Sequence, residues 1–226
     1  MSGEKKYKVN QIVRTIQGEG QCTGEVTVLC RFSGCNLKCD FCDTDHESYV
    51  ELTAEELASR LIENVTHDKE GMTRESITLT GGEPLLQLDA ELLEIIDSHF
   101  ESIIIETNGT KDVPSRDDVS EYILDEKVWV VWSPKSSKTF RETALSQVSE
   151  IKVVLPGDWS FGDLMELARF VEDRYEDWYP DFTLQPMWDN EKGEMSQEGL
   201  RRCVDYALRN PRWRVRLQAH KFMGVA

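Results

Sequence analysis

Three cysteines lie within eight residues of this chain, in the segment GCNLKCDFCDT. Cys35, Cys39 and Cys42 follow the spacing CxxxCxxC, which lets three thiolates from one loop converge on a single cluster. A cubane of four irons is ordinarily held by four cysteines, so three cysteines leave one iron open to a substrate or a cofactor. The spacing therefore predicts a [4Fe–4S] cluster that takes part in chemistry rather than one that only carries electrons.

Zinc is the main alternative for the same cysteines. Structural zinc usually has four ligands, commonly in two pairs, and His46 lies four residues beyond Cys42, so spacing alone leaves this interpretation open. A non-enzymatic zinc or iron–sulfur binding module then stands as an alternative function. The remaining cysteines, Cys22, Cys30 and Cys203, are scattered and are predicted to be packing residues.

The overall charge argues against nucleic-acid binding. The formal net charge is −16, whereas binding to phosphates needs a basic face. The six arginines between residues 201 and 216 fall at mixed helix and strand positions and predict a solvated surface. The amino terminus has no apolar core followed by a cleavage site, and no run of about 18 apolar residues occurs. We therefore expect a cytoplasmic protein without a membrane partner, in which clustered cysteines favour a metal site over disulfides.

Short β-branched runs alternate with longer amphipathic stretches, which is typical of α/β proteins. Because strand and helix alternate repeatedly, we expect right-handed crossovers and a parallel sheet. With no linker, repeat or low-complexity tract, residues 1–226 are expected to form one domain. Strands are predicted at 27–32, 76–80, 102–106, 128–132, 150–155, 182–185 and 214–218. Helices are predicted at 53–65, 89–98, 161–175 and 197–208.

Unusual residues gather directly after these strands, in the segments GGE, ETNG, SPK, LPG, QP and AHK. In parallel sheets and barrels, active sites assemble at the carboxyl ends of the strands. Gly, Pro and Asn often only punctuate loops, but that does not account for the polar side chains among them. We therefore predict one shared site that includes Glu83, Glu106, Lys135, Gln185 and His220.

The cysteine spacing followed some 40 residues later by GGEP resembles the radical SAM superfamily. The resemblance implies that S-adenosylmethionine (SAM) binds the open iron and is cleaved to a 5′-deoxyadenosyl radical. It also implies that Gly81, Gly82 and Glu83 lie against the methionine part of SAM. Glycine permits close backbone approach, and a carboxylate accepts hydrogen bonds from an ammonium group.

Further motifs in order along the chain resemble the 7-carboxy-7-deazaguanine synthases: TIQGEG, RFSGCN, CDT, TGGEP, ETNGT, SPK, LQP and QAHK. The resemblance implies an incomplete radical SAM (β/α) barrel with a curved, mainly parallel sheet, and a homodimer. It implies ring contraction of 6-carboxy-5,6,7,8-tetrahydropterin to 7-carboxy-7-deazaguanine and ammonia, in 7-deazapurine (queuosine) biosynthesis. The radical would take a hydrogen from C6 of the pterin, SAM would be regenerated, and a flavodoxin or ferredoxin would donate the electron.

The same resemblance assigns candidate site residues. Arg31 would pair with the substrate carboxylate, although a surface ion pair is the alternative. Thr44 would bind Mg²⁺ through its hydroxyl, although without the resemblance it would be interpreted as a helix cap or a turn residue. His220 could equally be a packed histidine. The predicted substrate contacts are Ile16, Gln17, Gly18, Glu19, Arg31, Thr80, Asn108, Gln185, His220 and the terminal carboxylate of Ala226. The predicted SAM contacts are Phe41, Cys42, Asp43, Gly81, Gly82, Glu83, Ser133, Pro134 and Lys135.

A radical SAM activase, which would act on a partner protein, is the other alternative function. It would share the cysteines and the GGE segment. It is not expected to carry QGEG before the cysteines, or the SPK segment and the terminal HK segment. These motifs therefore favour the small-molecule enzyme.

Overall fold

A nine-stranded sheet organises the chain, of which the computed structural model describes residues 4–42, 44–45, 47–66, 75–114, 127–175 and 180–225. A separate two-stranded hairpin projects between the eighth strand of the chain and its fourth helix. The strands are β1 (Tyr7–Ile16), β2 (Val26–Phe32), β3 (Val50–Leu52), β4 (Ser76–Gly81), β5 (Ser102–Thr107), β6 (Val128–Trp132), β7 (Glu150–Leu155), β8 (Asp181–Pro186), β9 (Trp188–Asp189), β10 (Glu194–Met195) and β11 (Trp213–Val215). The helices are α1 (Ala54–Ile62), α2 (Ala90–Asp97), α3 (Phe161–Arg174), α4 (Gln197–Arg209) and α5 (Ala219–Met223).

The large sheet is mainly parallel and open. Its strand order is β11-β8-β7-β6-β5-β4-β2-β1-β3. All neighbours from β2 to β11 are parallel, while β1 is antiparallel to both β2 and β3. Within the described residues β3 and β11 are the two edges, so the sheet does not close. The predicted α/β fold, an incomplete barrel with a mainly parallel sheet, is confirmed.

Most predicted elements are found close to their predicted bounds. Six of the seven strands agree within one residue at each end, and so do three of the four helices. The first helix is correctly placed at its start, since Thr53 and Glu56 make the reciprocal capping box that their spacing predicted. It ends at Ile62, three residues earlier than predicted.

Two predictions about the strands are wrong. The last strand does not extend over 214–218, because β11 ends at Val215. The amide of Arg216 still donates to the carbonyl of Leu184 in the neighbouring strand. The chain then turns, and the amide of Ala219 donates to the carbonyl of Gly18. The strand before the cysteine loop is also not the first one. β1 precedes it and was missed because a strand on the antiparallel side of a sheet mixes polar with apolar residues.

Alternation along each strand separates the hydrophobic core from the concave face of the sheet. In β7, Ile151, Val153 and Leu155 are fully buried in the core. Successive side chains point to opposite faces, so Lys152 and Val154 face the other way. Burying each such Ile, Val or Leu side chain contributes about 1.5–3 kcal/mol. The core therefore fixes the register that presents polar side chains on the concave face.

Among the described residues, no helix is both long enough and apolar enough to cross a membrane.

Candidate active site

A cavity of about 460 Å³ opens on the concave face, toward the carboxyl ends of the parallel strands. Six neighbouring strands, or the residues directly after them, supply part of its wall. These wall residues are Arg31, Thr80, Glu106, Ser133, Lys152 and Gln185. Of the five polar residues predicted to share one site, Glu106, Lys135, Gln185 and His220 line this cavity and Glu83 does not.

The cysteine loop forms one side of the cavity. Cys35, Cys39 and Cys42 all line it, and all six cysteines of the chain are free thiols. Among the described residues, which omit Asp43 and His46, no three His, Cys, Asp or Glu side chains are grouped so as to hold a single metal ion. Three thiols bordering one cavity nevertheless match, in type and number, the donors of a cluster with one open iron.

The other cysteines lie elsewhere. Cys30 and Cys203 are buried in the hydrophobic core, where burial raises the pKa of each thiol to about 12. Cys22 is partly exposed, and burial followed by the charge of Glu25 raises its pKa to about 12. These thiols are therefore protonated at neutral pH, as expected of cysteines that do not bind metal.

The glycine pair at the end of β4, Gly81 and Gly82, holds the cysteine loop against the sheet. The amide of Gly82 donates to Phe32 at 2.9 Å, and the amide of Glu83 donates to Gly34 at 2.9 Å. A β-carbon on Gly81, whose φ is +126°, would lie 2.1 Å from the carbonyl oxygen of Phe32. The two glycines thus allow the backbone at Phe32 and Gly34 to approach them closely. Both glycines also line the cavity.

Glu83 lies below the cavity rather than in its wall. It is fully buried, and its carboxylate accepts from the amide of Leu85 at 3.0 Å, the hydroxyl of Thr107 at 2.8 Å and the amide of Asn108 at 2.7 Å. Burial raises the pKa of Glu83, and these hydrogen bonds offset only part of the increase. The carboxylate ties the GGE segment to ETNG, and a contact with SAM stays a prediction.

Asn108 connects β5 to the cysteine loop. Its side-chain nitrogen lies 3.1 Å from the amide oxygen of Asn36 and 3.9 Å from the sulfur of Cys35. Its oxygen accepts from both the amide and the hydroxyl of Thr110. Asn108 therefore faces the cysteine side of the cavity.

A set of paired charges forms another part of the wall. The ammonium of Lys152 lies 2.5 Å from Glu19 and 3.1 Å from Glu106. Although burial alone raises the pKa of a carboxyl, the charge of Lys152 and hydrogen bonds from Lys152 and Gln218 hold the pKa of Glu19 well below its ordinary value. Burial likewise lowers the pKa of a lysine, but the charges of Glu106 and Glu19 raise the pKa of Lys152 above its usual range.

Lys135 is a second cation in the cavity wall. Its ammonium donates to the hydroxyl of Ser133 at 2.9 Å. Burial and the nearby charge of Lys152 lower the pKa of Lys135. Lys135 lines the same cavity as Cys39, Glu19 and Glu106.

The loop between β1 and β2 supplies the floor. The side chain of Gln17 donates to Thr78 at 3.2 Å and accepts from the amide of Glu19 at 3.1 Å, so its amide is already engaged within the protein. A β-carbon on Gly18 would lie 2.2 Å from the ring of His220. The loop and the carboxyl-terminal helix therefore pack together at the cavity edge.

Arg31 and Thr44 are neighbours. The guanidinium of Arg31 donates to the hydroxyl of Thr44 at 3.2 Å, and both residues line the cavity beside Asp45. A cation bound at Thr44 would thus lie next to an arginine. An anionic ligand group that contacts both cations would offset their repulsion.

Most of the predicted site residues lie around this one cavity. Glu83 and Pro134 do not line it, and Asp43 and Ala226 lie outside the described residues. Those in the wall are Ile16, Gln17, Gly18, Glu19, Arg31, Cys35, Cys39, Phe41, Cys42, Thr44, Thr80, Gly81, Gly82, Asn108, Ser133, Lys135, Gln185 and His220.

Lys152 and Gln218 were not among the predicted site residues. Lys152 is the one polar residue after Glu150 in β7, and a lysine in a run destined for burial is a signal of a paired charge. The side-chain amide of Gln218 donates to Glu19 at 2.7 Å. The sequence instead predicts Gln218 as the last residue of a strand, which gives no sign of this contact.

Comparison with known proteins gives consistent results. Residues 29–136 match the family model described as the radical SAM superfamily. The chain is 33% identical to the 7-carboxy-7-deazaguanine synthase of Bacteroides thetaiotaomicron, covering 96% of this chain and 98% of that protein. It is 34% identical to that of Bradyrhizobium diazoefficiens, covering 97% and 99%. The crystal structure of QueE from Escherichia coli has the same fold, with a TM-score of 0.68, 22% identity and 95% coverage of both chains.

Proposed function

Because the chain belongs to the 7-carboxy-7-deazaguanine synthase family of radical SAM enzymes, we propose that its cavity converts 6-carboxy-5,6,7,8-tetrahydropterin to 7-carboxy-7-deazaguanine with release of ammonia. The observation that carries the proposal is the joint wall of the cavity: three thiols border one side, and Glu19, Arg31 and Thr80 border the same space. A cluster-bound cofactor and a small polar substrate can therefore meet there.

The family implies a [4Fe–4S] cluster and SAM. Cys35, Cys39 and Cys42 would hold the cluster, and Phe41, Gly81, Gly82, Ser133 and Lys135 would contact SAM. When bound, these cofactors supply the 5′-deoxyadenosyl radical that begins the reaction. The cavity walls would keep water and oxidants away from it.

Other polar residues of the cavity wall would orient the substrate. The guanidinium of Arg31 offers a planar fork to the substrate carboxylate. Glu19, whose carboxylate stays ionised, can accept from ring N–H groups, and Thr80 and the backbone at Ile16 to Gly18 add polar contacts. We assign Mg²⁺ to the hydroxyl of Thr44, with the substrate carboxylate and water completing its oxygen shell.

The protein would also need an electron donor and, we propose, a second copy of itself. A flavodoxin or ferredoxin of the cytoplasm would supply the electron. Apolar side chains exposed near the carboxyl end support a homodimer, since Phe222 is 60% and Met223 48% exposed. Exposed apolar groups of this kind are typical of interfaces.

Anaerobic turnover tests the reaction. Protein reconstituted with iron and sulfide is given SAM, Mg²⁺, a reductant and 6-carboxytetrahydropterin, and products are identified by mass spectrometry. We expect 7-carboxy-7-deazaguanine from the native chain and none from C39A. 5′-Deoxyadenosine without the deazapurine would retain the radical SAM chemistry but refute the substrate.

A further inference from the structure

Lys152 stands at the centre of the polar wall, although it belongs to none of the motifs that resemble the family. Its side chain is only 5% exposed, and it bridges Glu19 from the loop after β1 and Glu106 from β5. β7 presents it on the cavity side next to Val154, while Ile151 and Val153 enter the core. Its place is therefore set by strand register rather than by a flexible loop.

The two carboxylates that Lys152 joins are each fixed by a second protein donor. The hydroxyl of Thr80 donates to the other oxygen of Glu106 at 3.0 Å. The side chain of Gln218 donates to the other oxygen of Glu19 at 2.7 Å. Both carboxylates remain at the cavity surface, 17% and 18% exposed. One ammonium group thus sets the direction of two acceptors that face the cavity.

A third acceptor lies beside them. The amide nitrogen of Gln185 donates to Glu19 at 3.2 Å, and its oxygen is buried without a hydrogen-bond partner in the described part of the chain. Gln185 is 2% exposed and lines the cavity. An unpartnered buried oxygen costs free energy, so this position favours a ligand that brings an N–H donor.

The neighbouring Glu150 is a charged residue with a purely structural role. It is fully buried, and its carboxylate accepts from the amide of Gln21, the hydroxyl of Thr183 and the indole of Trp129, all protein donors. It does not line the cavity. Glu106 differs, because it faces the cavity and, within the described residues, Thr80 and Lys152 hold its carboxylate.

We propose that Lys152 is a positioning residue that holds Glu19 and Glu106, together with Gln185, as one acceptor wall for the ring N–H groups of the substrate. The inference rests on the proposed pterin substrate and adds a determinant of its recognition. SAM, on the thiol side of the cavity, would depend on this wall much less. Acceptors that are preorganised in this way lose little entropy when they bind a ligand.

The test compares K152M, which keeps the length of the side chain without its charge, with K152R and with K127M as a matched control. Lys127 also pairs with a carboxylate, Asp97 at 2.8 Å, but lies outside the cavity. KM and kcat are measured separately for 6-carboxytetrahydropterin and for SAM. We expect kcat/KM for the pterin to fall at least about 30-fold in K152M, as when one partner of a buried charge pair is removed. KM for SAM should change less than about threefold, K152R should recover part of the loss, and K127M should match the native protein.

The double variant E19Q/K152M covers the case in which K152M alone fails to fold, because it removes one charge of each sign. It should fold and still bind the pterin poorly. Native-like kcat/KM for the pterin in K152M or in the double variant would overturn the inference and leave the proposed function intact. Equal losses of kcat/KM for SAM and for the pterin would have the same meaning. If the native protein forms no 7-carboxy-7-deazaguanine, the proposed function fails, and this inference fails with it.

Discussion

Gly82 lies so close to Gly34 that a β-carbon on Gly82 would stand 2.0 Å from the Gly34 carbonyl oxygen and 3.2 Å from the β-carbon of Cys35. The glycine pair thus fixes where the cysteine loop meets the sheet. No side chain fits between these two backbones without displacing the loop, because contacts under about 3 Å are strongly repulsive.

G82A should therefore lose the cluster. The added methyl group pushes the Cys35 end of the loop away from β4 and separates the three thiols. After anaerobic reconstitution, we expect less than about a tenth of the native iron content and a lower melting temperature, since overpacking commonly costs about 1–3 kcal/mol. G162A in α3, where the nearest atom to an added β-carbon is 3.5 Å away, is the control and should bind iron normally. Full iron loading of G82A would refute the packing argument.

N108A should shift the reduction potential of the cluster. The side-chain nitrogen of Asn108 lies 3.9 Å from the sulfur of Cys35, and hydrogen bonds to cluster sulfurs are among the factors that set the potential. Removing the donor should make the potential more negative, as measured by a redox titration followed by electron paramagnetic resonance. N64A on the surface after α1 is the control. Identical potentials in N108A and the native protein would show that the contact has no electronic effect.

Glu19 should stabilise the folded chain at neutral pH, and this contribution to the free energy of unfolding should be lost in acid. Its pKa is lower in the folded chain than in the unfolded one, so its contribution is complete above the unfolded value of about 4.3 and is lost as the pH falls below it. Denaturant unfolding of iron-free native protein and E19Q should give a free-energy difference that is largest near pH 7. The difference should shrink steadily between about pH 5 and pH 3. A difference that stays constant over this range would contradict the buried ion pair.

The sequence predicts the framework of this protein well, for a physical reason. The buried parallel strands are nearly continuous apolar runs, and the caps at Thr53, Asp89 and Ser160 start helices with strong local signals. β1 has no such signal, because its polar residues alternate on the antiparallel side of the sheet. The helix α5 is held by the tertiary contact of Ala219 with Gly18, which local sequence does not encode.

The sequence predicts the site residues whose type and spacing alone indicate their role. It does not predict residues whose role comes from pairing with a distant side chain. The cysteines and the glycines stand out by type and spacing, whereas Arg31 was assigned through the resemblance to the family. Lys152 becomes significant only once β5, β7 and the loop after β1 converge on it, which depends on the fold. For Glu83, the motif predicts a contact with SAM, and the structure adds that its carboxylate accepts three hydrogen bonds from the protein.

Transfer of deuterium from substrate to SAM tests the central claim most directly, because it requires the thiol side and the carboxylate side of the cavity to act on one molecule. The reconstituted protein is given 6-carboxytetrahydropterin carrying deuterium at C6, and SAM is recovered after turnover for mass spectrometry. We predict that the recovered SAM contains deuterium and that 7-carboxy-7-deazaguanine accumulates, with neither seen in C39A. Deazapurine formed with no deuterium in SAM, or by C39A as readily as by the native chain, would contradict the account.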